Sequence, residues 1–453
     1  MGRRILVIGG LAAGPSAASK AARTNPSAEV VLFEQGESVS YGVCEIPYHI
    51  SGEVSAEALG AFTPEKLKTT RRIDARTLHR VEEIQPHRRT LRVRNLRDGT
   101  SGEEKFDRLV IATGSRPKRL GFEGEESRNV FRVKALDEAY ALKKFITDEH
   151  PKTSVIVGGG YIGLEMADAF RSLGLDVTIL HNSSLPMKAL ERETRERVRE
   201  ELEKNGVRFV GMAQTAGFVR GPDGKVTHVV TGDGSYEAGI VVVAIGVEPN
   251  SDLARGAGIR TGAAGGIQTD QRQQTSADNI YAAGDCCEVK NLVTGRQVYI
   301  PLATIASKAG WTAGENAAGG NASFHGAVRA IAVRVFGLEV AQVGASEEDA
   351  RDAGFETACE TVTGWSRVAV MPGSERVTIR LIADRKSGRL LGANVWGREG
   401  AVLRANTLAV AVQHRVTVRE MQEWDLAYSP PFTPLWDPLL VAANALQRTL
   451  RIP

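Results

Sequence analysis

The chain reads as an α/β protein with two doubly wound parallel-sheet domains and a separate α+β domain at its C-terminal end. Two segments with the order strand, glycine turn, helix, strand, at 4–34 and 153–181, support the first part. The second part rests on where that grammar stops, at about residue 324. With 453 residues, 42% hydrophobic and 25% charged, the chain has material for several cores, and wholesale disorder is excluded. Its 48 glycines and 17 prolines fall well short of a low-complexity composition, so the glycines are expected at particular backbone positions.

In the first segment RILVI (4–8) is a buried-strand pattern, GGLAAG (9–14) a turn, SAASKAAR a helix and EVVLFE (29–34) a second strand. Dinucleotide-binding, Rossmann-like units have this form. Gly9 allows the tight turn, Leu11, Ala12 and Ala13 lead into the helix, and Gly14 allows the helix to pack closely on the strand. Glu34, 20 residues beyond Gly14, suits a pair of ribose hydroxyls. The middle glycine of G-x-G-x-x-G is missing, because Leu11 occupies its place.

The second segment, TSVIVGGGYIGLEMADAFRSLGLDVTILH (153–181), carries the complete motif at Gly158, Gly160 and Gly163, with Tyr161 and Ile162 inside it. Two such units imply two dinucleotides. Glu165 admits two readings: a charge favoured by the helix dipole, or a group bordering a nicotinamide site. His181 stands where an NAD-selective unit carries Asp or Glu, so a 2'-phosphate is not repelled and NADPH is slightly favoured over NADH. The stretch HNSS supplies no arginine to hold that phosphate, and Lys188 is the nearby cation.

Three further strand ends follow the same pattern. FDRLVIATGSRP (106–117) places Ala112, Thr113 and Gly114 after a strand, EAGIVVVAIGVEPN (237–250) places Gly246 likewise, and IYAAGDC (280–286) ends in Gly284 and Asp285. Asp285 suits a hydrogen bond to a polyol hydroxyl. Pro301 and Ala303 complete the candidate cofactor-binding residues. In the C-terminal part, 377–397 reads as a hairpin with Ser-Gly in its turn and 404–414 as a helix.

Cys44, Cys286, Cys287 and Cys359 form neither a disulfide framework nor a metal-ligand pattern. Two dinucleotide sites with a free thiol between them suggest electrons passed from a reduced nicotinamide through a flavin to sulfur. Cys44 lies ten residues after Glu34, in SYGVCEIPYHISG, and is expected at a helix start, which lowers a thiol pKa. Glu45 acts in the opposite direction. The other three cysteines read as small buried hydrophobes.

The net charge is only +3, and the arginines of 71–97 alternate with apolar residues, as in TLRVRN, so they read as the wet face of half-buried strands and not as a nucleic-acid site. The start MGRRILVIGG lacks the apolar region of a signal peptide, and the longest apolar stretch, 240–247, is far below a bilayer span. The expectation is a soluble, cytoplasmic protein with no membrane partner.

Taken together, Gly9, Gly14 and Glu34, ATG at 112–114, Gly158, Gly160 and Gly163, and AAGD at 282–285 resemble the FAD-dependent pyridine nucleotide-disulfide oxidoreductase superfamily over essentially the whole chain. The resemblance implies an architecture of the glutathione reductase type: an FAD-binding domain in two parts (1–115 and 250–325), an inserted NAD(P)H-binding domain (116–249) and a dimerisation domain (326–453). The C-x-x-P-Y context of Cys44, Pro47 and Tyr48 is similar to the single-cysteine coenzyme A-disulfide reductases and related polysulfide and persulfide reductases. Implied with it are hydride transfer from NADPH to FAD and a mixed disulfide between Cys44 and the substrate sulfur. The implied substrate is a small-molecule disulfide, polysulfide or persulfide, with coenzyme A a candidate component.

LAYSPPFTPLWDPL (426–439) resembles the segment that, in homodimers of the family, reaches the partner's active site, where Tyr428 would donate a hydrogen bond to the departing thiolate. Two departures from the family stand out: the first weighs against coenzyme A disulfide itself, and the second makes an anionic substrate less welcome at the sulfur. Met371, in AVMPG, stands where those reductases have a tyrosine, and Glu45 replaces a small residue beside the thiol. The sequence ends at Pro453 without a rhodanese-like extension, so sulfur is expected from free small molecules or another protein. One alternative is an NADH oxidase or peroxidase cycling Cys44 through sulfenic acid, a group with a histidine in the first glycine motif where this chain has Ala12 and Ala13. The other is a ferredoxin reductase-like electron-transfer protein in which Cys44 is structural.

Overall fold

The computed structural model describes residues 2–60 and 62–450. Apolar runs such as RILVI and IVVV cannot turn one face to water, so they lie inside parallel sheets covered on both sides. The first sheet has the strand order Ile280–Ala282, Arg108–Ile111, Arg4–Ile8, Glu29–Phe33, Ile73–Arg76, all parallel. Its last strand in space comes from residues some 170 positions after the neighbour it joins, so the chain leaves this sheet and returns to it.

What lies between builds the second parallel sheet, in the order Val207–Val210, Asp176–Leu180, Thr153–Val157, Ile240–Val243, Val130–Phe131. Short antiparallel strands Ser115–Pro117 and Val247–Pro249 pair where the chain passes out and back. The expected helices after both glycine turns are present, at Ala13–Thr24 and Tyr161–Ser172. The first begins at Ala13, so Gly14 lies within its opening turn.

Each parallel sheet carries an antiparallel three-stranded sheet beside it. In the first of these, the strand Thr90–Asn95 buries Leu91 and Val93 and exposes Arg92 and Arg94, which pair with Glu82 and Glu83. The arginines there are matched by carboxylates, in keeping with the wet strand face read from TLRVRN.

Beyond residue 330 the grammar changes to an antiparallel sheet in the order Ile331–Val335, Leu338–Gly344, Leu390–Gly397, Arg376–Asp384, Thr357–Trp365. The hairpin with Ser387 and Gly388 in its turn and the following helix, Ala401–Gln413, form as read from the sequence. Leu403, Val410, Phe432, Leu435 and Trp436 of this domain are large apolar side chains left exposed in the single chain. Among the described residues no helix is long and apolar enough to cross a membrane.

Candidate functional site

The two glycine turns are built by matching contacts. Gly9 N–H donates to the Phe33 carbonyl and Gly158 N–H to the Leu180 carbonyl, both at 2.8 Å. Ala112 and Ala244 close the other side through their N–H groups to Ile8 and Val157, also at 2.8 Å. Gly9 and Gly158 have φ of +109° and +117°, and a Cβ on either would collide with the carbonyl of Ala112 or Ala244. A Cβ on Gly160 would project into open space, and Leu11 occupies the corresponding place in the first turn. That position is therefore not required for the fold of the turn, which explains how the first unit forms without its middle glycine.

The second strand of each unit delivers a side chain back to its turn. Glu34 accepts hydrogen bonds from Gly10 N–H (2.6 Å) and Gly36 N–H (2.7 Å). His181 does the same with its ring: Nδ1 accepts from Gly159 N–H at 3.1 Å. An imidazole that accepts at Nδ1 is neutral with its proton on Nε2, and Nε2 is buried without a partner. Burial, then the charges of Arg195 and Lys188, hold the His181 pKa below its ordinary value.

Both turns fit their expected dinucleotides. The open space at Gly160 and the buried, unpartnered Tyr161 Oη and His181 Nε2 leave room and hydrogen-bonding capacity for NAD(P)H in the second unit. In the first, Asp285 lies at a strand end with Oδ2 accepting from Ser115 Oγ at 3.0 Å, Lys134 Nζ 3.7 Å away, and Tyr299 Oη buried without a partner. Gly114 and Gly246, at φ +67° and +100°, both face open space, and Ala303 opens the helix Ala303–Ala317 just after Pro301. Thr113 is tied to the return crossing through Oγ1 to the Asn250 carbonyl at 2.6 Å, and a Cβ on Gly284 would press on Ala13.

Cys44 is exposed and precedes the short helix Ile46–Ser51, whose N-cap is Glu45. The expected lowering of the thiol pKa by this helix start is not what the surroundings produce. Burial by neighbouring protein raises it most, Glu45 and Glu165 raise it further, Lys134 alone among the nearby groups lowers it, and Asp285 adds a small upward push. A six-residue helix has a weak end field, and burial together with the Glu45 and Glu165 charges outweighs it. Cys286 and Cys287 are buried and Cys359 half-buried.

Glu165 is the fifth residue of its helix, outside the first turn, so the dipole does not account for its placement. It lines a small pocket with Pro47, Tyr48, Asp168 and Arg334, on the face toward the cysteine helix. Burial, opposed by Arg334 and reinforced by Asp168, raises its pKa to about 7. Arg334 arrives from the C-terminal sheet, pairs with Glu53 at 2.6 Å and stacks over the Tyr48 ring. Tyr428 lies on the C-terminal loop, 48% exposed, next in sequence to the exposed Phe432, Leu435 and Trp436.

Sequence reasoning missed Lys134, Ser115, Tyr299 and Arg334, and it missed the cation beside His181. Only Lys188 was expected there. Arg195, from the helix Arg192–Lys204, folds back onto the loop after His181 and donates to Ser183 Oγ at 2.7 Å. No short motif signals such a contact, because a whole loop separates the two positions.

Two dinucleotide cradles in one chain, with an exposed thiol ahead of a helix between them, define an NAD(P)H- and FAD-dependent oxidoreductase. The chain belongs to the pyridine nucleotide-disulphide oxidoreductase family, matched over residues 3–310, with the family's dimerisation domain matched over 331–438. It is 35% identical to an NAD(P)H sulfur oxidoreductase (CoA-dependent) of Pyrococcus abyssi over 447 residues, 98% of each chain. It is 34% identical to an NAD(P)H coenzyme A polysulfide/persulfide reductase of Pyrococcus horikoshii, over 99% of each. Its fold superposes on an NAD-dependent persulfide reductase from A. fulgidus with a TM-score of 0.95 at 34% identity, covering 98% of this chain and 83% of that one.

Proposed function

We propose that Cys44 is the single thiol through which this NAD(P)H- and FAD-dependent disulfide, polysulfide or persulfide reductase delivers electrons to sulfur. The observation that carries the reading is the exposed thiol ahead of its short helix, with one cation, Lys134, acting on it in favour of the thiolate. Cys44 thiolate attacks one sulfur of the substrate, the S–S bond breaks, and the other sulfur leaves as a thiolate or hydrosulfide. Lys134 stabilises the anionic sulfur, and Tyr428 of a partner subunit would donate to the departing one. FAD and NAD(P)H, when bound, supply the two electrons that reopen the mixed disulfide and restore the thiolate.

Gly9 to Gly14, Glu34, Ala112 to Gly114, Gly284, Asp285, Pro301 and Ala303 would hold FAD. Gly158 to Gly163, Tyr161, Ile162, Glu165, His181 and Gly246 would hold the nicotinamide coenzyme, and the neutral His181 supports NADPH over NADH. In this reading FAD binds across 1–115 and 250–325, NADPH within 116–249, and residues 326–453 pair two copies through the exposed apolar side chains around Trp436. The Pyrococcus relatives point to coenzyme A as part of the sulfur chemistry. Met371, where coenzyme A-disulfide reductases carry a tyrosine, favours a persulfide or polysulfide over coenzyme A disulfide as the substrate turned over, and the Glu45 charge beside the thiol disfavours a substrate that is anionic at its reacting sulfur.

Anaerobic NADPH consumption with coenzyme A disulfide, polysulfide, glutathione persulfide and hydrogen peroxide, and aerobic consumption with oxygen, separates the readings. Sulfur compounds are expected to give the highest kcat/KM. A higher value for peroxide or oxygen would replace this reading with a sulfenic-acid cycle at Cys44. Equal or better kcat/KM with NADH than with NADPH would reject the coenzyme preference.

A further inference from the structure

Arg195 has no carboxylate within salt-bridge distance among the described residues, although its helix, RETRERVREELEK, is rich in glutamate. Its neighbours Arg192, Arg197 and Arg199 each pair with a glutamate of the same helix. Arg195 instead turns to the loop that follows His181. Nε donates to the Pro186 carbonyl at 2.9 Å, and Nη2 donates to the Leu185 carbonyl at 2.8 Å and to Ser183 Oγ at 2.7 Å. Three oxygens fix the guanidinium plane while neutralising none of its charge, and both Nη1 protons are left without a partner among the described residues.

The position matters because of what else meets there. The side chain that ends the second strand of a dinucleotide unit faces the adenosine ribose, where a carboxylate selects a free 2'-hydroxyl and a cation accommodates a 2'-phosphate. Here that side chain is a neutral imidazole held by Gly159 N–H. Two residues on, Ser183 accepts from Arg195 and keeps its own hydroxyl proton to donate. Lys188, also without a carboxylate partner among the described residues, stands in the same loop, and both cations act electrostatically on His181. A guanidinium held in place before the ligand arrives, with Nη1 free, loses little freedom on binding a phosphate.

We infer that Arg195, together with Ser183, is the residue that recognises the 2'-phosphate of NADPH, and that the coenzyme preference of this chain is set from this helix and not from the end of the strand alone. The inference rests on the NADPH reading above. It assigns to that reading a residue outside the glycine motif and its strand.

The test uses the FAD-loaded enzyme and calorimetric titration with adenosine 2',5'-bisphosphate and with 5'-AMP, which differs from it only by the 2'-phosphate, so that turnover plays no part. The wild type is expected to bind the 2'-phosphorylated nucleotide more tightly. Arg195→Met should reduce that ratio roughly ten- to a hundred-fold, the effect of one charge-assisted contact from Nη1, while leaving 5'-AMP affinity within about two-fold. Ser183→Ala should reduce it less. A guanidinium that merely staples the loop would lower both affinities together on removal and leave the ratio intact, and that outcome overturns the assignment. Should Arg195→Met not fold, Arg195→Lys keeps the charge without the fork, and an unchanged ratio in a folded Lys variant together with an unchanged ratio in Ser183→Ala likewise overturns it. If the wild type binds 5'-AMP as tightly as the bisphosphate, the NADPH reading fails and this inference with it. If the wild type discriminates and Arg195→Met still does, only the inference fails.

Discussion

The two dinucleotide units share one backbone plan and differ in the side chain that the second strand returns to the turn. In the first, Glu34 bonds Gly10 N–H at 2.6 Å, and in the second, His181 bonds Gly159 N–H at 3.1 Å. The hydrogen bond to the turn is thus one that either side chain makes, while the charge at the end of the strand is free to differ. A carboxylate presents acceptors only; a neutral ring among Arg195 and Lys188 leaves the surroundings positive. One fold thus offers two sites of opposite electrostatic character, and the thiol at Cys44 follows the first of them.

The largest effects should come from the glycines the two turns share. Gly9→Ala places a Cβ against the Ala112 carbonyl and Gly158→Ala one against Ala244, each in a backbone conformation that costs a substituted residue about 1–3 kcal/mol. Gly9→Ala should purify without flavin absorbance. Gly158→Ala should stay yellow and lose its bleaching by NADPH. If both variants lost flavin, the division of labour between the units would be wrong.

Next in size is a swap at the divergent position. His181→Asp restores a carboxylate beside the ribose and should lower the ratio of kcat/KM for NADPH over NADH by roughly ten- to a hundred-fold through like-charge repulsion. An unchanged ratio would mean that the end of this strand does not face the 2'-position.

A smaller change is expected at the thiol. Glu45 is the second largest cause of the raised Cys44 pKa, so Glu45→Gln should lower it and speed alkylation by iodoacetamide several-fold near neutral pH. Slower alkylation would show that Glu45 serves the thiolate instead.

The smallest effect concerns Glu165, whose folded pKa of about 7 lies above its ordinary 4.5. The folded protein then binds more protons than the unfolded chain between these values, so this group's contribution to stability is fully present below about pH 4.5 and is lost as pH rises through 7. Thermal melts of Glu165→Gln should fall less steeply than wild type over that window, and parallel melting curves would contradict the burial that raises the pKa.

What the sequence made legible was local. A strand, a glycine at positive φ and a helix lie within about twenty residues, and their apolar period and glycine spacing follow from backbone geometry alone. The hairpin at Ser387 and Gly388 was readable for the same reason. The groups that the fold brings to Cys44, Tyr48 and the loop after His181 come from elsewhere: Lys134 from the approach to a helix, Arg334 from the C-terminal sheet, and Arg195 from beyond a loop. Their side chains meet the site only through tertiary packing, which leaves no periodic trace. The helix start just after Cys44 was also legible, but the sign of the net effect on the thiol depended on how much protein surrounds the sulfur.

The central claim is that electrons leave this protein through one thiol. In a stopped-flow experiment without oxygen, the flavin is first reduced with one equivalent of NADPH and then mixed with polysulfide, in wild type and in Cys44→Ser. The flavin should be reduced at similar rates in both, and its reoxidation by polysulfide should be lost, by at least about a thousand-fold, in the serine variant alone. Reoxidation of Cys44→Ser at the wild-type rate would contradict the account.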